Sequence, residues 1–144
     1  KSRCLTFNIN FTFNQSIYVS NQILNENIFD IINLDLINYY NTPGEIIDLI
    51  NLSKDKKIDL KNNTLSDLLN LIIDNGYYKK NKSAKTLLVN FIELFFLKEY
   101  RLSKTKISLL KFYQNFIYQI YNTEQFNLDE ESLFSEFKSK LLNG

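Results

Sequence analysis

The sequence predicts a mainly α-helical protein, and three observations lead to this fold class. Apolar residues recur at helical spacing along most of the chain; between Leu65 and Ile73 they fall at i, i+3, i+4, i+7 and i+8. Ser, Thr or Asn stands in front of most of these segments, as at helix starts. Strict alternation of apolar and polar residues occurs once, at 5–13, so a single short N-terminal strand is expected.

Composition limits the possible functions. The chain has 144 residues, 44% of them hydrophobic and 15% aromatic, which is enough apolar mass for a folded core. Its net charge is +1, so the strongly basic footprint of a protein that binds nucleic acid by charge alone is missing. No apolar run approaches the ~20 residues of a membrane span, so no membrane partner is expected.

The side chains most used in catalysis and metal binding are scarce. The sequence has no His and one Cys, Cys4, which excludes an internal disulfide and a Cys/His zinc site. No nucleophile with a matching base is recognisable, so we expect no metal, no cofactor and no independent enzyme activity. A reducing, cytoplasmic setting fits a lone thiol. The chain opens at Lys1, without a Met and directly ahead of the expected strand, which suggests a piece of a longer protein.

The first part of the chain is expected to hold three helices after the strand. The helical period begins at Asn14 and predicts helices over Gln15–Leu24 and Glu26–Tyr40. In the segment 41–45, Thr42 can be an N-cap with Pro43 at the first helical position and Glu45 completing a capping box. The helix that starts there is expected to end near the polar stretch Ser53–Lys57, the candidate domain boundary.

The part after Lys61 is expected to form a bundle of four or five helices with short loops. Thr64 is the expected cap of the first, which Asn75-Gly76 ends. Each later helix has a start signal of its own. These are Ser83 before 84–100, Ser103 before a helix reaching about Asn122, and Asn127 with Glu130 as a capping box.

Three short motifs, taken in order, resemble the clamp-loader family of AAA+ ATPases. They are Ser2-Arg3-Cys4 ahead of the strand, Thr42-Pro43-Gly44 at a helix start, and the C-terminal segment 126–134. Within the family, the likeness is to the delta-prime subunits of bacterial DNA polymerase III. It implies the end of an ATPase-like domain over 1–13, a small three-helix lid over 14–57, and a helical collar over 61–144.

The resemblance also implies a function and partners. The chain would be a non-catalytic part of the loader that places the sliding clamp on DNA in replication. Its collar would contact the gamma/tau and delta subunits, and the clamp and primer-template DNA would be engaged only by the full complex. Arg3 would be an arginine finger that reaches the ATP site of a neighbouring subunit, where its permanent charge and fork of donors suit phosphate oxygens. Cys4 would only pack.

The lid start separates two kinds of subunit within the family. Motor subunits carry a nucleotide-sensing Arg there, whereas Gly44 occupies the matching position and the acidic Glu45 follows it. A carboxylate would repel a nucleotide, so the resemblance favours delta-prime over the gamma/tau motor. An interaction protein of another class, such as a viral Bcl-2-like inhibitor, remains an alternative. It predicts one bundle around a central buried helix, with a groove for a partner helix.

Three further segments have two interpretations each. The acids at 129–131 could bind a metal, but they suit the positive end of a helix dipole better. The run 77–82 mixes Tyr and Lys as single-strand binders do; we expect a solvated turn. In the helix over 111–121, we expect Phe116, Ile117 and Ile120 in the core, and Tyr113, Tyr118 and Tyr121 as candidate interface residues.

Overall fold

A computed structural model describes residues 10–79, 81–126 and 129–142. The regular structure in these ranges is helical and contains no strand, which confirms the mainly α class. The chain divides into two compact units between Lys61 and Asn62. No helix in the described ranges is long and apolar enough to cross a membrane.

The second half of the predicted strand is wrong, while residues 5–9 lie outside the described ranges. Helix α1 spans Phe13–Leu24, and Thr12 is its N-cap. The Thr12 N–H donates to Gln15 Oε1 at 2.9 Å, and the Gln15 N–H donates to Thr12 Oγ1 at 3.4 Å. This capping box satisfies backbone groups at the helix start, so it overrides the short alternating pattern that continues to Phe13.

The first unit is built on α1 and on α3, which spans Pro43–Lys56 and packs against α1. Between them lie the single helical turn α2, Ile28–Ile31, and a 3₁₀ turn, Leu34–Leu36. The unit buries mainly aliphatic side chains: Ile17, Ile28, Ile32, Leu36, Ile46, Leu49, Ile50, Leu52, Ile58 and Leu60.

The predicted helix Glu26–Tyr40 is wrong because asparagines interrupt it. The Asn27 and Asn33 side chains accept backbone N–H bonds two residues ahead and start separate short turns. Ile32 is extended, at φ −120° and ψ 135°. The Asn33 N–H then donates to the Leu60 carbonyl at 2.9 Å, a partner 27 residues along the chain. That long-range bond replaces a helical one.

The stretch Ser53–Lys57, the candidate domain boundary, contains the end of α3. Residues 53–56 form the last turn of α3, and Lys57 ends the helix in the left-handed region, at φ 56°. The Ser53 hydroxyl donates to the Ile58 carbonyl at 2.7 Å, and the Ile58 side chain is buried. The polar stretch is therefore an amphipathic helix end, and the first unit continues to Lys61.

The second unit contains four α-helices in the described ranges. They are α4 (Leu65–Asp74), α5 (Lys82–Leu102), α6 (Lys106–Phe126) and α7 (Glu130–Phe137), with a 3₁₀ turn at Tyr77–Lys79 and a π turn at Lys138–Leu142. Helix α5 packs against α4 and α6, and α6 packs against α7. Aromatic rings join them; the buried ones are Tyr78, Phe91, Phe95, Phe96, Phe116, Phe134 and Phe137.

The predicted start and end of α4 are both confirmed. Thr64 caps α4, with its hydroxyl accepting the Asp67 N–H at 3.2 Å and the Asp67 carboxylate accepting the Thr64 N–H at 3.0 Å. The Thr64 hydroxyl also donates to the Asp67 carboxylate at 2.6 Å, and this bond together with the one from the Thr64 N–H holds the pKa of Asp67 below its usual value. Gly76 adopts φ 59° after α4, the left-handed conformation expected there.

Three predicted caps are wrong by a few residues. Asn81, rather than Ser83, caps α5 and accepts the Ala84 N–H at 3.1 Å. Ser103 ends α5 by donating its N–H to the Glu99 carbonyl, so α6 begins only at Lys106. Asp129 is the cap of α7, and Asn127, the predicted cap, lies outside the described residues. Asn and Asp cap as well as Ser does, so a polar loop offers several equivalent starts.

Candidate functional site

Arg3 and Cys4, the residues to which the family resemblance assigns a finger and a packing role, lie outside the described residues. Two features of the described residues bear on function. The first is the start of α3, where a nucleotide-sensing Arg was expected to be replaced. The second is an apolar cleft between α5 and α6, in the second unit.

Helix α3 begins as the sequence predicts, with a complete capping box. The Glu45 N–H donates to Thr42 Oγ1 at 3.3 Å, and the Glu45 carboxylate accepts the Thr42 N–H at 2.9 Å. Asn41 Nδ2 also donates to that carboxylate, at 3.3 Å. Pro43, at the first helical position, has no N–H to offer.

This arrangement makes the α3 N-terminus a poor anion site. Helix starts bind phosphate through free backbone N–H groups and a positive dipole end. Here one donor is absent, another is used by Thr42, and a carboxylate already lies on the positive end. Gly44 is not required by crowding, because an added Cβ would lie 3.9 Å from Thr42 Oγ1, an ordinary contact. The backbone would therefore accept an Arg at this position, and the sequence does not supply one.

The acids at 129–131 are placed as the helix-dipole interpretation predicts. Asp129 accepts the Glu131 N–H at 2.9 Å, and Glu130 and Glu131 lie in the first turn of α7. Glu130 forms an ion pair with Lys85, and Glu131 forms one with Lys79 at 2.6 Å. Within the described residues, no cluster of His, Cys, Asp or Glu side chains is arranged to hold a metal ion.

The predicted tyrosine and lysine run is only partly a solvated turn. Tyr77–Lys79 forms the 3₁₀ turn, but the Tyr78 ring is buried and lies edge-on to Phe134 at 4.7 Å between centroids. Burial raises the pKa of the Tyr78 hydroxyl above its ordinary value. Tyr78 therefore belongs to the core and is unavailable for base stacking.

The cleft between α5 and α6 has a volume of about 200 Å³. One wall comes from successive turns of α5 and the other from successive turns of α6, so the spacing of about four residues places one side chain per turn in each wall. The centroids of the Phe96 ring on α5 and the Tyr113 ring on α6 are 5.0 Å apart. The apolar lining consists of Phe96, Leu97, Tyr100, Leu109, Leu110 and Tyr113.

In the helix over 111–121, two of the three residues expected in the core are buried. Phe116 and Ile120 are buried and Ile117 is half-buried, while Tyr118 and Tyr121 are exposed. Tyr113, expected at an interface, lines the cleft. The cleft itself could not be predicted, because no local spacing shows which residues of two helices will face each other.

Glu93 lies at one end of this apolar cleft. Desolvation by its surroundings raises the pKa of the Glu93 carboxyl above the ordinary 4.5. Burial also raises the pKa of Tyr113, and the negative charge of Glu93 adds to that shift. No ion pair to Glu93 is found among the described side chains.

We expect Glu93→Gln to stabilise the protein at neutral pH and to do so less at acid pH. A raised folded-state pKa means that the folded chain favours the protonated carboxyl, so that contribution is present below about 4.5 and is lost as pH rises through the folded pKa. The gain at pH 7 should stay under ~1 kcal/mol, since the side chain is partly solvated. Urea denaturation of both proteins at acid and neutral pH measures it. A stability difference that is constant or larger at acid pH would contradict the prediction.

Comparison of the chain with protein-family models, with curated protein sequences and with solved structures finds no match.

Proposed function

We propose that this chain is the lid and collar part of a clamp-loader subunit of the delta-prime kind. In this role it hydrolyses no ATP itself and assembles with gamma/tau and delta subunits in the cytoplasmic replisome. The observation that carries the proposal is the start of α3. Its Thr42-Pro43-Gly44 motif begins a helix whose first turn holds a carboxylate instead of a cation.

The division of the chain supports the same proposal. A small helical unit followed by a separate helical bundle is what the resemblance implies for a lid and a collar. A Bcl-2-like inhibitor would instead be one bundle around a central helix, and the division into two units gives that alternative no support.

The same helix start favours delta-prime over a gamma/tau motor. A motor subunit needs a cation at this position to contact its own nucleotide. Gly44 has no side chain, and Glu45 is held in place by Thr42 and Asn41. Like charges at short range disfavour a bound triphosphate.

Reconstitution with the gamma/tau and delta subunits of the same organism tests the proposal. We expect the full-length subunit to co-elute with them in size-exclusion chromatography, and calorimetry to show no ATP binding by this chain alone. Tight ATP binding, or failure to join the complex, would overturn the proposal.

A second experiment tests the finger. We expect Arg3→Ala in the full-length subunit to leave assembly intact and to slow ATP hydrolysis by the complex, because one neighbouring site loses its trans guanidinium. Lys1→Ala, which removes a nearby charge, serves as the matched control. Equal ATPase rates for the wild type and Arg3→Ala would remove Arg3 from this role.

A further inference from the structure

Positive charge is concentrated where α5 turns into α6. Residues 98–111 contain five bases and one acid, whereas the whole chain has a net charge of only +1. The bases are Lys98, Arg101, Lys104, Lys106 and Lys111. The rest of the chain holds 12 bases and 15 acids, so without this segment the chain would be net negative. Such a local excess of positive charge attracts an acidic partner and orients its approach.

Apolar side chains stand among these bases. Leu102 is 80% exposed and Ile107 is 73% exposed, one at the end of each helix. Lys106 Nζ lies 5.1 Å from the centre of the Tyr100 ring, which lines the cleft. The apolar cleft is thus continuous with the cationic end of the α5–α6 hairpin.

The other end of the cleft has the opposite charge. Glu93 and Tyr100 are seven residues apart on α5, or about 10 Å along the helix axis. The cleft is therefore apolar along its length, negative near Glu93 and positive near the hairpin end. A ligand that carries one apolar group with carboxylates on one side of it matches this pattern. It fits in one orientation only, with its carboxylates toward the positive hairpin end.

The volume of the cleft limits what can enter it. Small-molecule and cofactor sites are typically ~300–1,000 Å³, whereas this cleft is about 200 Å³. A single bulky apolar side chain is the occupant of suitable size. Buried anchors of this kind supply most of the binding energy in protein interfaces, with polar contacts around them.

We propose that the α5–α6 cleft binds an acidic peptide segment of a partner protein. A bulky apolar residue of that segment enters the cleft, and its flanking carboxylates pair with the bases at the hairpin end, Lys104 and Lys106 foremost. The inference goes beyond the proposed function and does not depend on it, since it rests only on the second unit.

Two other anionic partners fit less well. A membrane surface would take up the exposed Leu102 and Ile107 but would leave the concave cleft unfilled. Nucleic acid would pair with the lysines, but its phosphates would meet Glu93 and leave the apolar walls without a partner. Both become outcomes of the test.

The test uses the intact chain and short fluorescent acidic peptides with a central Phe, Leu or Ala. Fluorescence anisotropy should show that the Phe and Leu peptides bind at least about tenfold more tightly than the Ala peptide, and that salt weakens all of them. Two variants separate the contribution of the apolar cleft from that of the positive charges. Leu110→Asp, in the cleft wall, and the double change Lys104→Glu with Lys106→Glu should each weaken binding by about tenfold or more.

The matched control is Phe126→Asp, an exposed position on α6 outside the cleft, which should bind as the wild type does. Circular dichroism of each variant confirms that loss of binding is not loss of folding. Equal binding of the Phe and Ala peptides would overturn the proposal, as would dissociation constants weaker than ~1 mM for all peptides. Tighter binding to anionic phospholipid vesicles or to single-stranded DNA than to any peptide would also overturn it.

Discussion

Phe137→Ala should destabilise the second unit by about 3–5 kcal/mol. The Phe137 side chain is fully buried. The centroid of its ring lies 5.5 Å from that of Phe116 and 5.7 Å from those of Phe95 and Phe96. It joins α7 to α5 and α6 at once. Truncation therefore removes apolar burial and leaves a cavity that three helices would have to move to fill.

Urea denaturation followed by far-ultraviolet circular dichroism measures this loss, and hydrogen exchange assigns it to helices. Amides of α6 and α7 should exchange faster in the variant. Phe126→Ala is the control, because its ring is exposed on α6, and surface changes of this kind usually stay within ~0.5 kcal/mol. If the two variants lost equal stability, the aromatic cluster would not be the core of this unit.

Ile28→Ala should destabilise the first unit by about 2–5 kcal/mol. Ile28 is fully buried although it belongs to α2, a single turn that could not be stable by itself. Its N–H donates to Asn21 Oδ1 at 2.9 Å, which ties the turn to α1. The side chain and this bond hold α2 in place. Truncation should therefore make the segment between α1 and α3 open more often.

Ile23→Ala is the matched control, the same substitution at an exposed position on α1. Hydrogen exchange of the amides in 28–37 should accelerate in Ile28→Ala and stay unchanged in Ile23→Ala. Protection of that segment in both variants would mean that Ile28 does not anchor the connection.

Much of the fold follows from signals that act within four or five residues. The Thr42–Glu45 box is predictable because a cap and its partner are three residues apart, and Thr64 was expected as a cap by itself; both caps form. The apolar spacing from Leu65 to Ile73 likewise predicts the stripe that becomes buried in α4. The similar signal at Thr12 and Gln15 overlaps the alternating pattern of 5–13, which favours a strand instead.

The errors arose where several local choices are nearly equal. Asn27 and Asn33 each compete with the helix for backbone groups, and 26–40 is apolar enough to read as one helix. At the loops before α5 and α7, the neighbouring polar residues cap equally well, so the boundaries moved by two residues. Where several helix boundaries are nearly equal in local preference, tertiary packing decides which one forms.

The amino-acid order alone was therefore sufficient for the helical class, for the strongest helix starts and for a first turn of α3 without a cation, since these depend on neighbours along the chain. Only the three-dimensional arrangement decided that Asn33 would bond to Leu60, that Tyr78 would be buried against Phe134, and that α5 and α6 would leave a charged-ended cleft. Those features join residues far apart in sequence, and their energies come from surfaces that meet only after the chain has folded.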